Sequence, residues 1–326
     1  MKLPRRTFLQ FAGAAAVGPA FSRLATAQAY PARPITMIVP FPPGGSTDVI
    51  GRVLAERMKW SLGQPIIIEN ASGANGSIGT GRAARARPDG YTIDLGLLGT
   101  HVLNGAFYSL PYDVLNDFEP ILPLCTTPIV LFARKMMPAK DLHELIAWLK
   151  ANSEKASAGI VTVGLQLIAA RFQQETGTHL AMVPYRGTAP AMQDLVAGQI
   201  DLFVETPAQL PLVRAGSIKA YAVTSDTRLA QAPDIPSFAE MGLPALSYSP
   251  WFGLFAPRRT PKDVIGKLNA AAVEALADPA VRSRLADLGM DILQRERQTP
   301  DALGALVKAD AEKWWPLIKE FNIKAE

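Results

Sequence analysis

From Ile35 onward, short runs of β-branched and apolar residues alternate with longer stretches in which apolar side chains recur every three or four positions. Parallel strands need a crossover between neighbours, and a helix is the usual one, so this alternation constrains the chain to an α/β class with a largely parallel sheet covered on both faces. The first unit is the clearest. Ile35-Thr-Met-Ile-Val39 reads as a buried strand, residues 40–45 as a loop, and Ser46 onward as a helix with Val49, Ile50, Val53 and Leu54 on its apolar face. Gly63 is its stop signal. A strand over 65–69 and a loop rich in Gly and Asn over 70–81 follow, and Pro88-Asp89-Gly90 marks a turn before a strand over 91–98. A helix over 141–151 opens a second series, with strands over 180–183, 200–205 and 219–223 and a helix over 188–197 closed by Gly198. After a proline-rich stretch come a strand over 251–256 and three amphipathic helices around 261–277, 279–288 and 299–320.

The first 29 residues stand apart. Lys2, Arg5 and Arg6 precede a Gly/Ala-rich apolar stretch, and Ala27-Gln28-Ala29 has the small-x-small form of a cleavage site, so residues 1–29 read as a signal peptide. Arg5-Arg6-Thr7-Phe8-Leu9 resembles a twin-arginine export signal; an ordinary signal with two adjacent arginines is the other reading. Export to the periplasm is the expectation in either case. Processing also changes the charge. The full chain carries 33 basic and 29 acidic residues, and the signal holds four basic ones (Lys2, Arg5, Arg6, Arg23) and no acidic one. Without them 29 stand against 29, and no basic field remains that would argue for nucleic acid. No later apolar run is long enough to span a bilayer.

Catalytic and metal chemistry find little to work with. The single cysteine, Cys125, lies in an apolar run and reads as a buried, inert thiol. His143-Glu144-Leu145-Ile146-Ala147 begins like a zinc-protease helix but has Ala147 where the second histidine belongs, which leaves His143 as an exposed helix residue. Gly44-Gly45-Ser46-Thr47-Asp48 fails the last position of a nucleophile elbow. Gly79-Thr80-Gly81-Arg82-Ala83-Ala84 matches a degenerate dinucleotide fingerprint without a strand directly before it. The expectation is a protein with no cofactor and no metal that is not an enzyme.

Two glycine-bearing loops remain. In 41–48 the glycines let backbone approach a ligand and deliver it to a helix N-terminus, where free N–H groups and the helix dipole favour an anion without any cationic side chain. The same residues also suit a tight turn with Ser46 or Thr47 as a cap and Asp48 complementing the dipole, and spacing alone does not choose between the two. The second loop, 70–77, would lie beside the first at the carboxyl ends of the strands, the edge at which open α/β sheets bind ligands.

Several segments in fixed order resemble one family, the solute-binding proteins of tripartite tricarboxylate transporters, or Bug proteins. They are Pro40-Phe-Pro-Pro-Gly-Gly-Ser-Thr-Asp48, Glu69-Asn-Ala-Ser-Gly-Ala-Asn-Gly76, Pro88-Asp-Gly-Tyr-Thr92, Asp117-Phe-Glu-Pro-Ile121, Val183-Pro-Tyr-Arg-Gly187, Asp194-Leu-Val-Ala-Gly198, Pro236-Ser-Phe-Ala-Glu-Met-Gly242 and Trp251-Phe-Gly-Leu-Phe-Ala-Pro257. The resemblance implies a type II periplasmic binding fold, with residues 30–130 plus 250–326 in one α/β lobe, 131–249 in the other, and a ligand cleft between them. It implies a monomer that captures a small carboxylate for a transmembrane permease, or a sensing module of the same fold that acts on a histidine kinase. An exported hydrolase is a third reading, disfavoured by the poverty of nucleophile motifs. The implied ligand set is Phe41, Pro43, Gly44, Gly45, Ser46, Thr47, Asp48, Asn75 and Thr100 in the first lobe, with Thr162, Val163, Arg186, Gly187, Thr188 and Glu205 in the second. Where the family commonly has a polar Ser-Ala-Gly-x-Gly-Ser run and then His-Leu, residues 157–167 here are more apolar and lack the histidine, which implies a ligand with an apolar body.

Overall fold

The computed structural model describes residues 30–153, 155–185 and 187–320. The signal-peptide reading and Arg186 lie outside these residues. The chain builds two sheets. The first uses β1 (Ile35–Val39), β2 (Ile66–Asn70), β3 (Thr92–Leu97) and β4 (Phe118–Thr126), then, from much later in the chain, β10 (Trp251–Pro257) and β11 (Asp291–Ile292). Its order is β11-β4-β10-β3-β1-β2. The second uses the contiguous strands β5 (Val130–Arg134), β6 (Ser157–Ile160), β7 (Ala181–Pro184), β8 (Leu202–Glu205) and β9 (Ile218–Val223), in the order β7-β6-β8-β5-β9.

The sheets are less uniformly parallel than the sequence pattern suggests. β1 pairs parallel with β2 and β3, and β6 with β7 and β8. However, β10 runs antiparallel to both β3 and β4, and β5 antiparallel to β8 and β9. These are the strands next to the points where the chain passes from one sheet to the other. A crossover helix is not needed there, so direction is free to reverse.

Helix α1 (Ser46–Leu62) follows β1 as expected. Ile50, Leu54 and Met58 on one stripe are fully buried, each worth about 1.5–3 kcal/mol of apolar burial, and Gly63 ends it at φ 66°. α2 (Ser77–Ala84) is a correction: residues 70–81, read as loop because of their glycines, hold a single 3₁₀ turn at Ala74–Gly76 and then this helix. Gly79 explains the composition, since a Cβ there would sit 2.5 Å from the Ala71 carbonyl oxygen. The short α3 (Asn104–Phe107) continues a π-turn over Gly99–Leu103.

In the second sheet's layer, α4 (Leu142–Ala151) is capped by Asp141, whose side chain accepts the Glu144 N–H. α5 (Val163–Thr176), α6 (Thr188–Ala197) and α7 (Leu210–Arg214) connect its strands. α8 (Lys262–Ala277) and α9 (Pro279–Asp287) pack against α1 and the first sheet, and α10 (Pro300–Glu320) covers β4 and the π-turn. α10 is pinned by Asp310, which accepts from the indole nitrogens of Trp251 (2.7 Å) and Trp314 (3.2 Å).

The chain crosses between the sheets at residues 127–129 and again at 224–250, and the crossings are tied together. The Ile129 N–H donates to the Thr224 hydroxyl oxygen and Thr224 N–H to the Ile129 carbonyl, each at 2.8 Å. Thr127 N–H donates to Pro250 O at 2.8 Å, and the Thr224 hydroxyl donates to Tyr248 O. Behind these crossings one apolar core runs continuously from Leu98, Val102 and Phe255 to Leu131, Leu165 and Phe238.

Candidate functional site

A cavity of about 480 Å³ opens between the carboxyl edges of the two sheets. Three helices point their N-termini into it. Gly45, Ser46 and Thr47 bring α1, Thr162 to Leu165 bring α5, and Gly187 and Thr188 bring α6. At α5 the Thr162 side chain accepts the Leu165 N–H, at a long 3.3 Å. At α1 and α6 the N-cap is a glycine and no side chain caps the helix. Ser46 and Thr47, which the sequence also allowed as caps, fall inside the helix instead. The first-turn N–H groups there are left for solvent or a ligand. Partial positive charge from three helix ends accumulates on one space with no Lys, Arg or His among the described lining residues.

The loop before α1 is held from behind. Asp48 is buried, and its carboxylate accepts from Gly44 N–H (2.9 Å), from Arg52 Nε (2.9 Å) and from Asn70 Nδ2 (2.9 Å). Asn70 also donates to the Phe41 carbonyl at 3.0 Å. The Arg52 hydrogen bond, with help from Gly44 and Asn70, outweighs burial and holds the Asp48 carboxyl down at about 2. Asp48 and Gly44 therefore do not line the cavity, contrary to the sequence expectation. They are the latch that shapes it, with Gly44 at φ 85°, where a side chain is strained.

Asn75 does line it. It sits at φ 49°, held by the buried Asn104, whose Nδ2 donates to Asn75 O (2.9 Å) and to Ser77 Oγ (2.9 Å) and whose Oδ1 accepts from Asn75 Nδ2 (3.0 Å). Thr100 is a second correction. It is fully buried and packs behind the loop, where a Cβ on Gly76 would come within 2.6 Å of its methyl group. The wall between is formed by its neighbours Leu97, Gly99 and Leu103.

On the far side, Glu205 is buried at the cavity edge, where Oε2 accepts from the Thr188 hydroxyl (2.7 Å) and Oε1 from Thr206 N–H (2.8 Å). Desolvation raises its pKa, with these donors working against it. The structure thus brings Phe41, Pro43, Gly45, Ser46, Thr47, Asn75, Thr162, Val163, Gly187, Thr188 and Glu205 around one space, and sets Gly44, Asp48 and Thr100 behind it. The sequence reading omitted most of the apolar wall. Ile129, Tyr248 and Pro250 come from the crossing segments, Phe252 from β10, and Val161 and Leu165 flank the α5 cap. Only the apolar drift of 157–167 signalled any of it. A second space of about 380 Å³, bordered by Tyr108, Gln166 and Tyr185, adjoins the first and shares Asn75, Val161, Thr162 and Val163 with it.

Among the described residues no group of three or more His, Cys, Asp or Glu side chains is placed to hold a metal, and no helix is long and apolar enough to cross a membrane. Cys125 is fully buried, with its thiol directed at Met290 Sδ (3.8 Å), and burial pushes its pKa up.

Residues 50–323 match the family described as the tripartite tricarboxylate transporter family receptor. Protein BugT of Bordetella pertussis is 38% identical over 304 residues, which cover 92% of this chain and 92% of BugT. Among solved structures, MatC from Rhodopseudomonas palustris with bound malate is 37% identical, with a TM-score of 0.79 over 89% of this chain and 100% of that one. An R. palustris protein with adipate is 31% identical, with a TM-score of 0.80 over 90% of this chain and 99% of that one. The match runs through both sheets and the cleft between them, so the fold is the periplasmic binding type with two α/β lobes. The chain belongs to the tripartite tricarboxylate transporter family of receptors.

Proposed function

We propose that this receptor is exported to the periplasm and captures a small carboxylate with an apolar body, which it presents to a tripartite tricarboxylate-type permease. The observation that carries the reading is the convergence of three helix N-termini, two without a side-chain cap, on a cavity walled by Leu97, Leu103, Ile129, Val163, Tyr248 and Phe252. Helix ends supply the attraction for one carboxylate, and the apolar wall removes the rest of the ligand from water. The malate and adipate held by the two relatives agree with a carboxylate ligand. Among the described residues the cavity lining carries no His or Cys and no metal-ligand cluster, and the Thr188 hydroxyl is engaged on Glu205.

The lobes are 30–130 plus 250–326 and 131–249. They close over the ligand about the tied crossings, and the protein works as a monomer, with residues 1–29 removed on export by the twin-arginine route. The test is a thermal-shift and calorimetric screen of the chain from Tyr30 onward against mono- and dicarboxylates of graded apolar length, malate and adipate included. A true ligand at about 100 times its Kd should stabilise the fold by about 2.7 kcal/mol. Its amide analogue should bind more weakly, because it loses the charge that the helix ends favour. Equal binding of acid and amide, or no carboxylate binding at all, would refute the proposal.

A further inference from the structure

Beneath the cavity, in the interior of the first lobe, lies a polar group for which ligand capture has no evident use. Asp94 on β3 and His101 on the π-turn are both completely buried, with His101 Nε2 3.5 Å from Asp94 Oδ2. Neither Asp94 oxygen nor His101 Nε2 has a hydrogen-bond partner of good geometry. The surroundings are apolar: His101 stacks on Phe255 at 3.9 Å between ring centres and tilts against Phe118 at 4.5 Å. Gly96 makes room for the ring, since a Cβ there would come within 2.4 Å of His101 Nδ1. Tyr112 is close enough to feel the Asp94 charge, and Arg85 lies on the far side of Tyr112. The Thr80 hydroxyl, itself without a well-formed hydrogen bond, is close enough to act on Asp94.

The other face of the imidazole decides how the pair is wired. His101 Nδ1 lies 3.0 Å from Thr100 Oγ1, and Thr100 Oγ1 also accepts from Leu97 N–H and donates to Leu97 O, both at 3.2 Å. Assigning the single Thr100 hydroxyl proton to Leu97 O makes Nδ1 the donor to Thr100 and leaves Nε2 as a bare acceptor facing Asp94. A carboxylate facing that lone pair would be repelled, whereas a carboxylic acid would donate to it. The alternative wiring needs an ionised carboxylate in an apolar interior with only a neutral imidazole N–H and the Thr80 hydroxyl near it, which is costly.

We propose that Asp94 is a protonated, neutral acid that donates to His101 Nε2, and that the relay from Asp94 through His101 and Thr100 to Leu97 is the positioning device for the Leu97–Leu103 turn that floors the ligand cavity. Burial acts in the same direction on both members, raising Asp94 to about 8 and lowering His101 to about 3. The wiring also keeps a negative charge from lying under a site that attracts anions. It holds whatever ligand the cavity takes.

The experiment needs no ligand. In the ¹⁵N-labelled chain from Tyr30 onward, long-range proton–nitrogen NMR should resolve three imidazoles, with His101 assigned through His101→Gln. His101 should keep its proton on Nδ1 with Nε2 bare from pH 5 to 7. A proton on Nε2, or a doubly protonated His101 at pH 7, would overturn the proposal. Asp94→Asn, whose amide N–H can still donate to Nε2, should preserve the tautomer. Asp94→Leu should shift the Nε2 resonance; should that variant fail to fold, the wild-type and Asn spectra decide alone.

Stability against pH gives a second reading. Between about pH 4 and 8 the folded chain keeps the Asp94 proton that the unfolded chain has lost, so stability falls as pH rises. Between about pH 3 and 6.5 the unfolded chain binds the proton that buried His101 refuses, so stability rises. The two offset up to about pH 6.5, and above it the folding constant should drop about tenfold per pH unit until about pH 8. Asp94→Asn should lack that drop. The same slope in both proteins would mean that Asp94 is already ionised and the wiring is wrong.

Discussion

Replacing Asp48 with Asn isolates what the buried carboxylate does for the loop that shapes the cavity. The asparagine mimics the protonated acid in size and keeps one acceptor, so the variant removes mainly the charge that Arg52, Gly44 and Asn70 hold in place. Asp48 is held at about 2, against 3.8 for the free side chain. At 1.36 kcal/mol per pH unit the ionised form contributes about 2–3 kcal/mol near neutrality. Because the folded-state value is the lower one, this contribution is complete well above pH 3.8 and is lost as pH falls through 2, with about half remaining at pH 3. Urea unfolding at pH 7 should therefore show Asp48→Asn less stable by about 2–3 kcal/mol, and at pH 3 by about half as much. In a ligand screen the variant should also bind more weakly, because Phe41 to Gly45 lose their tether. A gap between the two proteins that stays constant from pH 7 to 3 would refute the electrostatic account and leave only a difference in packing.

Gly45 has φ −76°, and a Cβ there would meet only the Pro42 carbonyl oxygen, at 3.8 Å, so Gly45→Leu should fold with near wild-type stability while its side chain fills the α1 end of the cavity. Any ligand-induced rise in Tm should vanish in it; a preserved rise would put the carboxylate at another helix end. Cys125 should resist thiol reagents in the native state and react stoichiometrically in denaturant, since it is fully buried with its pKa pushed up; rapid native labelling would contradict its packing against Met290. Arg5→Lys with Arg6→Lys should hold the precursor in the cytoplasm, and normal export of that variant would redirect the route to an ordinary signal.

Much of the first lobe was legible because its signals are local. The β-branched run before Gly44, the apolar stripe of α1 and its terminal Gly63 all lie within a few residues of what they specify. The same holds for α6 and Gly198, which sits at φ 77°. β4 was not legible, because Pro120 and Pro123 argue against a ladder. The structure accommodates them with register shifts in the β4–β10 pairing, where β4 skips Leu124 opposite Phe252/Gly253 and Ile121 opposite Leu254/Phe255. α2 and α5, neither of them read from the sequence, carry near their starts glycines that serve close packing and cavity access. The site divides in the same way. Residues on the strand-to-helix loops could be named from their own segments, whereas Ile129, Tyr248 and Phe252 become a wall only once the chain has crossed and returned. Thr100 and Asp48 carry the chemistry of ligand contacts, and only their burial shows that they support the neighbours that line the cavity.

The position of β10 in the first sheet also sets a timetable. β10 lies between β4 and β3, so the first sheet cannot join its two halves until Trp251–Pro257 has been made. By then every strand of the second sheet, from Val130 to Val223, has already been synthesised. The lobe encoded in the middle of the gene can thus fold first, as an uninterrupted unit, while the lobe that begins and ends the chain waits with the flanks of β3 and β4 open. Those unpaired edges are the part of the nascent protein that a chaperone would have to shield, and they are sealed by a single late strand.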